Sequence, residues 1–242
     1  MTTFNIIKAS EAVSKNAAHA KILIWGSSGV GKTWMVSDSP KPLIVLTEPN
    51  GALSIANSNP NADIVIINKA EDLRNLVVSL RKNKTHNYET IVFDSLTECQ
   101  RLIKDEILGA REDLSLRDWG KLASKTLSFI RTIRDLPYHI ICTALSSNLT
   151  DQEGGIVRTG PSFDGKKTGN EIMQYFSAVG ALYQKETQEG AKRFLMFTGP
   201  QRYMIKPCAD LTGTLEDPNM KDMISKLSGA IKNASKKTNN KK

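Results

Sequence analysis

Cysteine is scarce in this chain. Cys99, Cys142 and Cys208 lie far apart, form no C-x-x-C pair and cannot build an even-numbered framework. That excludes a disulfide-stapled scaffold and a structural zinc site, and reads as a reduced, intracellular protein. Histidine is as sparse: His19, His86 and His139 show no ligand spacing and are assigned no role. No run approaches the ~20 apolar residues that a membrane span requires. The opening MTTFNIIKASEAVSKNAAHA lacks a basic start followed by an apolar stretch, so it does not read as a secretory signal. No repeat is visible. What is present, 40% hydrophobic and 24% charged residues in 242, suits one globular domain with modest additions. Lys and Arg total 33 against 25 acids, a net +8 that favours anionic partners.

Short apolar runs recur, each bounded by glycine, proline or a polar turn. They are KILIW (21–25), PLIVLT (42–47), DIVII (63–67), TIVFD (90–94) and HIICTAL (139–145). Their apolar residues are adjacent instead of alternating, the pattern of strands buried on both faces. Helical periods lie between them. One face of 71–80 carries Leu73, Leu76, Val77 and Leu80; one face of 95–108 carries Leu96, Cys99, Leu102, Ile103 and Ile107. The clearest is 118–136, with Trp119, Leu122, Ala123, Leu127, Ile130 and Ile133, for which Asp118 is the expected N-cap. Strand alternating with helix predicts an α/β fold with a mostly parallel sheet flanked by helices. The glycine-rich 146–170 reads as a long surface loop and 171–176 as a short helix. Strands at 178–184 and 193–198, joined by KETQEG, read as a C-terminal hairpin closing the sheet. The expected organisation is a leader over 1–20, one domain over 21–227 and a disordered lysine-rich tail over 228–242.

GSSGVGKT (26–33) matches G-x-x-x-x-G-K-[ST] and sits between a predicted strand and a predicted helix. Gly26, Ser27, Ser28, Gly29, Val30 and Gly31 would turn successive backbone N–H groups onto phosphate oxygens, with the helix dipole behind them. Lys32 would reach the β- and γ-phosphates, and the Thr33 hydroxyl would ligate Mg2+. Asp94 ends a buried strand cleanly, where a carboxylate completes the magnesium site. Glu48, at the end of the strand after the phosphate-loop helix, is placed to orient or deprotonate an attacking water. The expected cofactors are ATP and Mg2+. Thr143 and Ser146, at the end of HIICT, are candidate γ-phosphate sensors. Trp25 and Trp34 flank the loop and are placed to contact the adenine, although buried packing is their expected role.

The motifs WGSSGVGKT, LTEPNGAL, IVFDSLTE, ICTA and GPSFDGKKTGNEIMQYFSAVGALY together resemble RecA-like, AAA-type P-loop ATP-binding proteins encoded by phages and prophages. That group includes ATP-dependent single-strand annealing and recombination proteins. The resemblance covers about residues 21–218. It implies a RecA-like core and a Mg-dependent ATPase stimulated by DNA, with the catalytic glutamate on the strand after the phosphate-loop helix, as Glu48 is. In helicase-type relatives that glutamate follows the magnesium aspartate, where this chain has Ser95. The family's closing region often carries a K-x-R pair that reaches a nucleotide across a subunit interface. Here the matching stretch is Cys208-Ala209-Asp210-Leu211, leaving Lys206 or Arg202 as substitutes.

The loop carrying Arg158, Phe163, Lys166 and Lys167 corresponds to the family's single-stranded-DNA loop; its cations suit phosphates and its ring suits an unpaired base. The tail adds Lys232, Lys236, Lys237, Lys241 and Lys242, five of the eight net charges. The resulting expectation is a cytoplasmic phage or prophage ATPase acting on single-stranded DNA in recombination, annealing or replication. A single-strand-binding protein or another replication factor, and further copies of the chain, are candidate partners; a membrane is not. Two alternatives stand beside it. A small-molecule kinase shares the phosphate loop but needs an arginine-rich lid, and 146–170 has Arg158 alone. A nucleotide-dependent scaffold with little turnover is the other.

Overall fold

The computed structural model describes residues 19–82, 87–150 and 157–239. In chain order the elements are β1 (Lys21–Gly26), α1 (Lys32–Ser37), β2 (Pro42–Leu46), α2 (Gly51–Ser58), β3 (Asp63–Ile66), α3 (Ala70–Lys82), β4 (Thr90–Asp94) and α4 (Leu96–Leu108). They continue with α5 (Leu116–Arg134), β5 (His139–Thr150), β6 (Val157–Pro161), α6 (Lys166–Glu171), a 3-10 turn (Ile172–Tyr175), β7 (Ala178–Thr187), β8 (Gly190–Met196), β9 (Thr214–Glu216) and α7 (Met220–Asn239).

The sheet order is β3-β2-β4-β5-β1-β7-β8-β9. From β3 to β7 every neighbouring pair is parallel, and β8 and β9 extend the sheet antiparallel. The adjacent apolar residues of each run divide between two cores, one per face. Leu23, Trp25, Val45, Phe93 and Cys142 face α3, α4 and α5, packing with Leu73, Val77, Leu96, Leu127 and Ile130. Ile22, Ile24, Ile44, Val92 and Ile141 face the other way, onto Met35, Ile55, Met223, Ile224 and Leu227 of α1, α2 and α7. Period-two geometry makes this division automatic, which is why the strands show no polar alternation. The α/β expectation, a mostly parallel sheet flanked by helices, is what the chain forms.

Four local expectations differ. Asp118 does not cap α5. Ser115 does, its Oγ accepting the Asp118 N–H at 3.3 Å while Asp118 Oδ2 accepts the Ser115 N–H at 3.3 Å. Asp118 is therefore the fourth member of a capping box that starts three residues earlier. The expected loop after Leu145 begins as strand: β5 runs on to Thr150 and pairs antiparallel with β6, from Ser146 opposite Pro161 to Thr150 opposite Val157. Backbone pairing between two polar segments left no hydrophobic period to read. The β7–β8 hairpin does form, but β9 covers it, so β8 is not the sheet's edge. Finally α7 extends through Asn239, where a disordered tail was expected from Ser228. Met220, Met223, Ile224 and Leu227 dock its first half on the core, and Lys, Ala and Asn residues continue the turn. Most of the expected leader, residues 1–18, lies outside the described residues, as do 83–86, 151–156 and 240–242.

Candidate functional site

β1 is held centrally, between β5 and β7, and delivers the phosphate loop to the carboxyl end of the sheet. The strand ends on Gly26 because nothing larger fits: a Cβ there would lie 2.3 Å from the Leu182 carbonyl oxygen. Gly29 and Gly31 take φ of 82° and 88°, the left-handed region that costs glycine nothing. Gly31 is also the N-cap of α1 and supplies no capping side chain, so the first-turn N–H groups keep their capacity for an outside acceptor. Ser27, Ser28 and Gly29 are exposed, and Val30 packs partly on the second core.

Lys32 is buried and curls back on its own loop, donating to Gly26 O at 2.9 Å and Ser27 O at 2.8 Å. Burial pushes the Lys32 ammonium below its ordinary pKa, opposed by the charges of Asp94 and Glu48. The Thr33 hydroxyl donates to Asp94 Oδ2 at 2.6 Å, and the buried Thr143 hydroxyl donates to Asp94 Oδ1. Thr47, on the neighbouring strand end, fixes the aspartate from behind. Its N–H and hydroxyl both donate to Asp94 O at 3.0 Å, and its Oγ1 accepts the Ser95 N–H at 3.0 Å. The Asp94–Ser95 peptide is cis. Glu48 is exposed on a cavity of about 200 Å3 lined also by Gly31, Lys32, Thr33, Asp94 and Ser95. The structure thus gathers Lys32, Thr33, Glu48, Asp94 and Thr143 from three elements and one loop. Ser146 stands at the rim, its Oγ 3.2 Å from that of Ser27.

The donor set suits magnesium. Among the described residues no three metal-ligating side chains cluster. One buried carboxylate beside one hydroxyl is the hard-oxygen arrangement for Mg2+, whose remaining positions go to phosphate and water. Thr33 and Asp94 would hold it.

The expected DNA residues are not brought together as one loop. Arg158 is exposed on β6; Phe163 is half-buried against the first core, so its ring is engaged by the protein; Lys166 and Lys167 open α6, their side chains outside the described residues. The segment between is tied to α4, the helix that follows Asp94. Thr97 Oγ1 donates to Ser162 O at 3.1 Å and accepts the Leu145 N–H at 3.0 Å. Gln100 and Asp164 exchange two bonds, of 3.0 and 2.7 Å, and Lys104 pairs with Asp164 at 2.8 Å. Lys206 turns inward onto Phe176 O, 2.8 Å away, while Arg202 is exposed over the Tyr203 ring, beside β6.

Sequence reasoning missed two side chains. Glu98, in the first turn of α4, is pushed above the ordinary carboxyl range by burial, Arg101 opposing and Glu48 adding to the rise. Its spacing of four from Asp94 was readable, but its proximity to Glu48 was not. Arg193, on β8, reaches the phosphate loop from more than 150 positions away, and its guanidinium lies 5.7 Å from the centre of the Trp34 ring. Trp25 is buried as expected; Trp34 is 42% exposed and is not a packing residue alone.

No curated protein is detectably similar to the chain. Three solved structures are similar to it at low identity. The flagellar accessory protein FlaH of Methanocaldococcus jannaschii is 12% identical, with TM-score 0.44, over 89% of this chain and 95% of that one. A KaiC-like protein of Pyrococcus horikoshii OT3 is 15% identical, with TM-score 0.40, over 82% and 89% respectively. An ATPase from the type III secretion system of pathogenic bacteria is 15% identical, with TM-score 0.47; the likeness takes in 70% of this chain and 51% of that one. Residues 18–206, which hold the phosphate loop, Asp94 and every strand from β1 to β8, match the AAA domain family, and the chain belongs to that family of P-loop nucleotide-binding ATPase domains.

Proposed function

We propose that the chain is a Mg-dependent ATPase that couples ATP hydrolysis to a grip on single-stranded DNA, in phage-type recombination, annealing or replication. The observation that supports it most is the covalent and hydrogen-bonded continuity between the two halves of that task. Asp94 ends β4 and leads through Ser95, the N-cap, directly into α4, and α4 holds the segment following the β5–β6 hairpin through Thr97, Gln100 and Lys104. In this reading Lys32 leaves the carbonyls of Gly26 and Ser27 for the phosphates, an exchange of weak partners for charged ones. Thr33 and Asp94 would hold the cation, which would supply charge neutralisation on the phosphates. Glu48 orients the water, and Thr143 reports the state of Asp94 along β5. Arg158, Arg202 and the lysines that open α6 would meet the nucleic-acid phosphates. The cytoplasm of a phage- or prophage-bearing bacterium, a single-strand-binding partner and self-assembly belong to the same proposal.

A nucleotide switch with little turnover is the second reading, favoured by Lys206 being spent on Phe176 O instead of reaching outward. One measurement separates the two: ATP hydrolysis with and without single-stranded DNA, using Lys32→Ala as the blank. Hydrolysis that rises with DNA and vanishes in Lys32→Ala supports the ATPase. Tight ATP binding with no turnover under either condition supports the switch.

A further inference from the structure

The phosphate cavity has a neighbour. A second cavity of about 280 Å3 is lined by Trp34, Asp38, Arg193, Asp217 and Asn219 among others. Trp34 borders both cavities and so stands at the seam between them. The Arg193 side chain lies across the same seam. Its Cδ is 3.1 Å from where a Cβ on Gly31 would sit, and its guanidinium covers the Trp34 ring. The backbone on which it rides is fixed, since the Arg193 N–H donates to Asp217 Oδ1 at 3.2 Å and the Asp217 N–H donates to Arg193 O at 2.8 Å. The indole remains 42% exposed beside that guanidinium, and both groups line the second cavity.

We infer that Trp34 and Arg193 form a clamp for the base of the bound nucleotide. A ligand whose phosphates lie along Gly31, Lys32 and Thr33 would continue past the seam into the second cavity. There an indole face and a guanidinium plane are the two groups that stack on an aromatic ring. The cavity is close to the lower limit for small-molecule sites, ~300 Å3, which is enough for one base and no second ring system. The ligand class is a purine nucleoside triphosphate, because the larger ring covers more of the indole. The inference rests on the nucleotide reading above and goes beyond it in assigning base recognition to two residues of this chain.

The test is calorimetric titration with Mg-ATP, Mg-CTP and Mg-tripolyphosphate, which carries the phosphates without a base. The wild-type chain is expected to bind ATP most tightly, CTP less and tripolyphosphate least. Trp34→Ala should weaken ATP about 10-fold, the factor equivalent to ~1.4 kcal/mol of stacking, and leave tripolyphosphate unchanged. Trp34→Phe should restore most of the loss. Arg193→Ala, at a half-buried strand position, should show the same selective loss if Trp34→Ala folds poorly. Equal affinity of the wild-type chain for ATP and tripolyphosphate would overturn the clamp and leave the phosphate site standing. So would variants that lose both ligands alike. Binding of neither ligand by the wild-type chain would overturn the nucleotide reading and the clamp with it.

Discussion

The Thr33 hydroxyl points at Asp94 Oδ2 and lies 2.6 Å from it, although the two residues are 61 positions apart. The side chains that would share one cation are already in contact through a proton. Binding Mg2+ therefore replaces a hydrogen bond instead of assembling a site. Asp94→Asn retains the shape and the partners of the side chain while removing its charge. It should raise the Mg2+ concentration needed for tight ATP binding by about 10-fold or more, at an unchanged Tm. A magnesium titration of nucleotide binding decides this, and an unchanged midpoint would remove Asp94 from the metal site.

Glu48→Gln should keep nucleotide affinity and slow hydrolysis by ~10²-fold or more, the usual range for losing a general base. Glu98 provides the control. Its carboxyl is held above the ordinary range chiefly by burial, so it too has the character of a base. If Glu98→Gln abolishes turnover while Glu48→Gln turns over normally, the base sits on α4 and not after β2.

The proposed DNA binding divides into two modes that salt would separate. Neutralising Lys166 and Lys167 together should flatten the logarithmic salt slope by roughly 0.7 per lost contact on single strands. It should also weaken stimulation of hydrolysis. Deleting the chain after Ser228 keeps Met223, Ile224 and Leu227 on the core, so Tm should hold. That deletion should reduce affinity at low salt and leave stimulation largely intact. Loss of all binding in the deletion, with wild-type behaviour in the lysine variant, would move the DNA site to α7.

At the far end of the sheet, burial pushes His139 down to about 4, with the cations of His19 and Lys21 adding and Glu89 opposing. Its Nδ1 accepts the Ala20 N–H at 2.9 Å, which also requires the neutral ring. The folded value lies below the unfolded one of ~6.5, so between them the unfolded chain binds a proton that the folded chain refuses. Stability is then full above pH ~6.5 and falls as pH drops toward about 4. His139→Asn offers an amide oxygen to Ala20 and cannot titrate. Denaturant melts across that window should show a shallower acid slope for the variant. His19, lowered by burial, should leave some slope behind. Identical slopes would contradict the assignment.

The parts of the site that were legible in the sequence are those whose chemistry is local. The phosphate loop needs glycines, a lysine and a hydroxyl within eight positions, and a buried strand ending in aspartate stands out at Asp94. Glu48 could be read from its place after a strand. Arg193 could not, because a β8 residue meets the phosphate loop only after β7 has docked beside β1. At Trp34 the sequence left packing and base contact both open, and its exposure excludes packing as the sole role. Asp118 was misread by a single turn, since a capping box places equivalent polar residues at both its ends. The arm after Leu145 was read as loop because its pairing is backbone to backbone, with side chains that carry no apolar rhythm.

That arm shares its backbone with Thr143. β5 is one uninterrupted strand from His139 to Thr150, and its outer half pairs with β6 where Arg158 lies opposite Leu149. Side chains on a strand change face with every residue. Adding one residue to each strand of the arm below Asn148 would turn Arg158 to the opposite face; adding two would return it. For Arg158 to keep its face the arm can lengthen only in even steps, so the side on which this cation is presented is set by parity rather than by length.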